Sequence, residues 1–262
     1  MFLHKLEETI ADFIQNSEQN FVDEFDMMQI YDPPLLGVAG ASDQLWEIMK
    51  EPNVVGPDHL TPKEWLSEAN SVISYFLPFT EEIRSSNRLE GLPSKEWLYG
   101  RCEGEMFNDA VRLLIIDEIE VVEGKALAPA LDKRFTINNY ISNWSERHVA
   151  FIAGLGTFSL SHSLITNFGT AGRIGSVIVD LELEPKPRLY QEVEEYCSKC
   201  GTCINRCPPR AITENNKDEG SCSHHLDKIL ELNKSRYGCG KCQTAVPCEY
   251  SNPTKLNLIT KK

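Results

Sequence analysis

The sequence has no long apolar run, one cysteine before residue 197 and no surplus of positive charge. Each shortage removes a class of protein. Nowhere does an uncharged apolar stretch reach the roughly 18 residues that a membrane helix requires. Met1 to Asn20 mixes acids with Phe2, Leu6, Ile10 and Phe13 at helical intervals. That predicts an amphipathic helix rather than a targeting segment. A soluble, cytoplasmic chain with no membrane partner is expected. The formal charge is −13 over 262 residues. Residues 191–262 hold 11 Lys/Arg and 9 Asp/Glu, against 15 and 30 in the remainder. Nucleic-acid binders neutralise phosphates with basic surface, so no nucleic-acid partner is expected. Gly154-Leu155-Gly156 does not extend into a G-x-G-x-x-G fingerprint, because position 159 is Ser159. A dinucleotide-binding turn is therefore poorly supported. Cys102 stands alone, and a lone thiol reads as a small hydrophobe.

What the chain does have is cysteine in one place. Cys197-x2-Cys200-x2-Cys203-x3-Cys207-Pro208 is followed by Cys222, by Cys239-x2-Cys242, and by Cys248 after Pro247. The first run has the spacing of bacterial ferredoxins, in which the fourth cysteine serves the other of two [4Fe–4S] clusters. Two residues between cysteines let a tight loop aim three sulfurs at one cluster, and Pro208 then turns the chain away. Cluster I is assigned to Cys197, Cys200, Cys203 and Cys248. Cluster II is assigned to Cys207, Cys222, Cys239 and Cys242. That crossover is inferred from two-cluster ferredoxins. The alternatives are two zinc ions or a disulfide framework. A third cysteine at the same short step, followed by Cys-Pro, fits tetrahedral zinc poorly. Disulfides are rare where thiols stay reduced.

Upstream, Leu35–Ala41 reads as a buried strand and Ser71–Leu77 as a second, closed by Pro78. Between them, helices are expected around Leu45–Met49 and from Pro62, with Glu51–Pro62 a loop. Phe21–Ile30 reads as helical or turn-rich, and Thr80–Pro93 as a polar surface segment or lid. Ser94–Glu118 has helical periodicity and leads into a short strand near Ile119–Val122. A helix over Asn143–Ala153 and a glycine-led strand over Gly172–Leu181 follow. Pro185-Lys186-Pro187-Arg188 reads as a linker between residues 1–188 and a cysteine-rich domain of residues 189–262.

Three segments carry a family resemblance: Ala153-Gly154-Leu155-Gly156-Thr157-Phe158, Leu164-Ile165-Thr166-Asn167-Phe168-Gly169, and Arg173-Ile174-Gly175-Ser176-Val177-Ile178-Val179-Asp180-Leu181. Leading straight into the two-cluster motif, they resemble the epoxyqueuosine reductases, which in turn resemble reductive dehalogenases in this core. The resemblance implies an α+β protein. A nitroreductase-like α/β domain over 1–188 would hold cobalamin, and a ferredoxin-like domain over 189–262 would relay electrons to it. It implies cofactor contacts from Arg147, His148, Gly154, Leu155, Gly156, Thr157, Phe158, His162, Thr166 and Arg173. The family's proton-donating aspartate lies in an Asp-[Ser/Thr]-[Ala/Gly]-Pro motif, for which the matching stretch here reads Ala126-Leu127-Ala128-Pro129. Tyr140 or His148 is then the candidate acid. Each of these side chains also has a plain structural reading as an ion pair or a hydrogen-bonded group. The helical repeats that the family uses for tRNA are not found in this sequence, so a divergent branch is expected. The expected function is an iron–sulfur oxidoreductase fed by a ferredoxin or flavodoxin-type donor. The alternatives are a non-catalytic electron carrier and an activator of a separate corrinoid protein.

Overall fold

The computed structural model describes residues 2–255. At its centre lies a four-stranded sheet in the order Leu35–Gly40, Ser71–Pro78, Gly172–Val179 and Ala126–Leu127, with every neighbouring pair antiparallel. The β-branched and aromatic content of Ser71–Pro78 suits this place, since all eight of its residues are buried. Alternation along the strands separates two cores. Ile73, Tyr75, Leu77, Val177 and Val179 face one side, where Phe2–Asn16 and the long helix Lys95–Val121 pack. Val72 and Ile178 face the other, with Trp46, Trp65, Trp144 and the helix Glu146–Ile152. The result is a mixed α/β layer with helices on both faces.

The first helix runs Phe2–Asn16 and buries Leu6, Ile10 and Ile14, as its spacing predicted. The long helix starts where Ser94 accepts a hydrogen bond from the Trp97 amide. Three expectations need correction. No strand forms near Ile119–Val122. The helix continues to Val121, because Ile115 and Ile119 lie one turn apart on its buried face, and the short strand follows at Ala126–Leu127. Phe21–Ile30 is a small hairpin, Phe21–Val22 against Met28–Gln29, around a single 3₁₀ turn. Thr80–Pro93 is not a loose surface segment. It forms the helix Glu81–Ser86 and then buries Asn87 completely against the cysteine-rich segment.

That last contact is a polar clasp. Asn87 Nδ2 donates to the Cys239 carbonyl (3.0 Å) and to Thr244 Oγ1 (3.3 Å). Its own Oδ1 accepts from Lys241 Nζ (3.0 Å), and the Leu89 carbonyl accepts from the same ammonium (2.8 Å). Arg88 pairs with buried Glu249 at 2.6 Å, and Glu249 also accepts from the Ala245 amide. These groups are largely out of water, so each partner they keep matters to stability. No helix among the described residues is long and apolar enough to cross a membrane.

Candidate functional site

The eight clustered cysteines separate into two groups. Cys197, Cys200 and Cys203 lie along a tight turn made by Lys199 and Gly201, both at positive φ, ahead of the short helix Thr202–Arg206. Cys248 meets them from the far end of the chain, held by its carbonyl, which accepts from the Thr170 amide (2.9 Å). Gly169 makes that approach possible. Its φ is +78°, and a Cβ there would stand 2.4 Å from the Glu249 carbonyl oxygen. Together these cysteines line one small pocket with Ser159, Leu160, Ile165 and Val246.

Cys207, Cys222, Cys239 and Cys242 line a different cavity of about 730 Å³. Here the close approach is at Gly240 (φ +66°), where a Cβ would fall 2.0 Å from the indole of Trp97. The Cys239–Cys242 turn is thus moulded on the long helix. The opposite wall comes from that helix (Arg101, Glu105, Asp109, Arg112), from the 135–147 stretch and from Arg173. The cavity lies within the size range of small-molecule sites.

Burial and neighbouring sulfurs set the acidity of the thiols. Burial first, then Cys197 and Cys200, push Cys203 up to about 11. Burial and the same three-cysteine run push Cys248 up to about 12. In the second group burial raises Cys239 to about 11 and Cys242 to about 12, with Cys207 and Cys222 adding to both. Cationic influence differs between the groups. Lys217 pulls Cys242 downward, Lys217 and Arg147 pull Cys222, and Lys241 pulls Cys239. No cation contributes to Cys203 or Cys248. Thiols this weakly acidic become thiolate ligands at neutral pH only against a polycation. Among the described residues, no three His, Cys, Asp or Glu converge as the ligands of a single ion would. The sulfurs instead stand around a space.

Of the residues expected near a corrin, the structure brings Arg147 and Arg173 to the large cavity, together with Tyr140. Tyr140 sits at positive φ in the turn of the hairpin Ile137–Asn138/Ile141–Ser142 and is mostly exposed. The others do not line that cavity. Gly154 packs on the backbone of Lys186 and Pro187, and Gly156 leaves no room for a Cβ against the Ile165 carbonyl. Leu155 is buried in the core, and Thr157 Oγ1 accepts from the Tyr196 amide at 2.8 Å. The Phe158 amide donates to the Val193 carbonyl at 2.7 Å, so this run anchors the 187–196 connection. His148 stacks on Phe158 and shares a 2.7 Å hydrogen bond with Ser145, and burial lowers its pKa to about 3. His162 faces Glu219 at 3.0 Å, and Thr166 locks its own turn by donating to the Gly169 carbonyl. The stretch Ala126–Pro129 is a sheet edge and the start of a turn whose next residue, Ala130, lines the cavity.

Sequence reasoning missed the charged wall. Glu105, Asp109 and Arg112 recur along one helix face, a periodicity that could have revealed it. Arg112, 2% exposed, pairs with Glu105 (3.1 Å), Asp109 (2.5 Å) and Glu146 (3.3 Å). Burial raises Glu146 to about 7, against the pull of Arg112 and a 2.6 Å hydrogen bond donated by Ser176. Among the described residues, buried Arg112 Nε, Arg173 Nε, Thr170 Oγ1 and His225 Nε2 find no hydrogen-bond partner, and all four residues line this cavity.

No family model matches the sequence. The epoxyqueuosine reductase of Leadbetterella byssophila is 28% identical over 207 residues, covering 72% of this chain and 61% of that relative. The chain therefore spans less than two thirds of the length of this relative. Among solved structures, the epoxyqueuosine reductase of Streptococcus thermophilus superposes with a TM-score of 0.53 at 18% identity, over 95% of this chain and 66% of that one. A reductive dehalogenase described with a mechanism for B12-dependent dehalogenation gives 0.56 at 15% identity, over 87% and 31%. The chain is thus similar to epoxyqueuosine reductases in sequence, and it shares its fold with them and with reductive dehalogenases.

Proposed function

We propose that this chain is an iron–sulfur redox protein that carries single electrons from a low-potential donor through its cysteine-rich segment, residues 189–262, into the large cavity. Cys197, Cys200, Cys203 and Cys248 hold one [4Fe–4S] cluster, and Cys207, Cys222, Cys239 and Cys242 hold the other. The observation that carries this reading is that the second quartet and the charged residues of the upstream layer line the same cavity. The buried thiols fit such clusters: the acidity of Cys203, Cys222, Cys239, Cys242 and Cys248 is suppressed by burial and mutual repulsion, which a cationic core reverses. Bound clusters supply one-electron transfer at potentials tuned by charge, burial and hydrogen bonds to sulfur. The Ala211 amide donates one such bond to Cys207 Sγ at 3.2 Å.

The acceptor occupies the cavity, as a corrinoid or as an oxidised small substrate. Of the ten residues that the resemblance pointed to a corrin, only Arg147 and Arg173 line it, so the case for cobalamin rests on the shared fold alone. No step is assigned to that cofactor. Tyr140 and Glu146 are two proton-bearing groups on the wall, the first mostly exposed and the second partly buried beside Arg112. The donor is a ferredoxin or flavodoxin-type protein. Iron and sulfide analysis of anaerobically prepared protein, with electron paramagnetic resonance of the reduced form, tests the reading. Two cubanes per chain are expected, and zinc or a single cubane overturns it. Titration with cobalamin then separates the acceptors. Retention with a base-off spectrum marks a resident corrin, whereas stimulated reduction of an added corrinoid protein without retention marks an activator.

A further inference from the structure

Resting on that reading, the two quartets differ in a way that gives the electron path a direction. Among the described residues, the pocket of Cys197, Cys200, Cys203 and Cys248 has no lysine or arginine in its lining. Lys199 neighbours Cys197, but it is paired with Glu194 at 3.0 Å, which offsets its charge. The cavity holding the second quartet has Arg147 and Lys217 on its wall. Among the described residues, neither is within ion-pair distance of a carboxylate, while Arg101, Arg112 and Arg173 on the same wall are each tied to Glu105. Arg147 donates to the His162 carbonyl at 2.5 Å, and the closest acid acting on it, Glu219, is engaged by His162. A third cation, Lys241, lies buried in the turn between Cys239 and Cys242 and donates only to oxygens of Asn87 and Leu89. Cations that no carboxylate neutralises favour the more negative, reduced state of whatever the neighbouring sulfurs hold.

We infer that Arg147 and Lys217 set the second quartet's cluster at the higher reduction potential, so that electrons enter at Cys197, Cys200, Cys203 and Cys248 and run downhill to the cavity. One electron from a low-potential donor protein reduces the first cluster. Its transfer reoxidises that cluster and reduces the second. No bond forms or breaks.

The test is a potentiometric titration of the full-length holoprotein with dithionite, followed by electron paramagnetic resonance. Two separate midpoints are expected. Arg147→Gln and Lys217→Gln each lower the upper midpoint, the double variant lowers it further, and the lower midpoint stays in place. Arg147→Lys keeps the charge and holds the upper midpoint near the parent value. Lys217 is partly exposed, so its variant keeps the test open if Arg147→Gln fails to fold. Coincident midpoints in the parent overturn the ordering, as do variants that leave the upper midpoint unmoved or shift both midpoints together. A preparation lacking two clusters overturns the functional reading beneath it, and iron and sulfide counts tell the two failures apart.

Discussion

Two cysteine quartets drawn from one short segment sit in opposite surroundings. The first packs against Leu160, Ile165 and Val246 and serine side chains, with Cys200 exposed at its edge. The second opens on a charged cavity and leans on a helix some 140 residues upstream, through Gly240 against Trp97. Regular spacing thus says how sulfurs group, while the rest of the chain decides what each group is used for. A site with one exposed cysteine suits receipt of an electron from outside. A site sharing its cavity with titratable and cationic side chains suits delivery.

The sharpest way to break this contrast is to remove one sulfur from each set. Cys207→Ala is expected to abolish the cluster that faces the cavity and Cys248→Ala the other one. Each should halve the iron content and erase a different resonance signal. If Cys207→Ala removes the same signal as Cys200→Ala, the crossover is wrong. Next in size is the clasp. Asn87→Ala strips acceptors and donors from Lys241, Thr244 and Cys239, and is expected to cost about 3 kcal/mol, read as a lowered thermal midpoint. It should also loosen the cavity-facing cluster before the other, as seen in the order of iron release during chelation.

A smaller effect is expected at Glu146. Burial raises its folded pKa to about 7, above the ordinary 4.5, so the folded state binds the extra proton. Stability from this group is fully present below about 4.5 and is lost as pH rises through 7. Thermal midpoints measured between pH 5 and 8 should therefore fall less steeply in Glu146→Gln than in the parent, and parallel curves would refute the assignment. The smallest effect belongs to Cys102, whose sulfur makes only a long contact to the Tyr237 carbonyl. Cys102→Ser should leave iron content unchanged and alter stability by about 0.5 kcal/mol at most.

Much of the fold was legible because its signals are local. Ser94 capping a periodic run, the β-branched Ser71–Pro78 strand and the amphipathic first helix all show in short windows. The strand expected near Ile119–Val122 fails for a related reason. β-Branched residues look the same in a strand and on the buried face of a helix, and only the four-residue step from Ile115 to Ile119 separates them. Thr80–Pro93 looked like a lid because Asn87 is buried by hydrogen bonds to residues about 150 positions away, which leave no local mark. Gly154-Leu155-Gly156 pointed to a ligand only through the resemblance, and both its glycines lie against neighbouring backbone. The charged cavity wall stayed hidden because Arg101, Glu146, Arg173 and Lys217 come from four separate parts of the chain.

The contact between Gly240 and Trp97 also bears on assembly. Since the turn is shaped against that indole with no space for even a methyl group, its final form requires the upstream layer to be already in place. Under the proposed reading, metal loading of the second quartet would follow the helix that acts as its mould, whereas the first quartet draws three of its four sulfurs from one local stretch and would begin to gather them earlier.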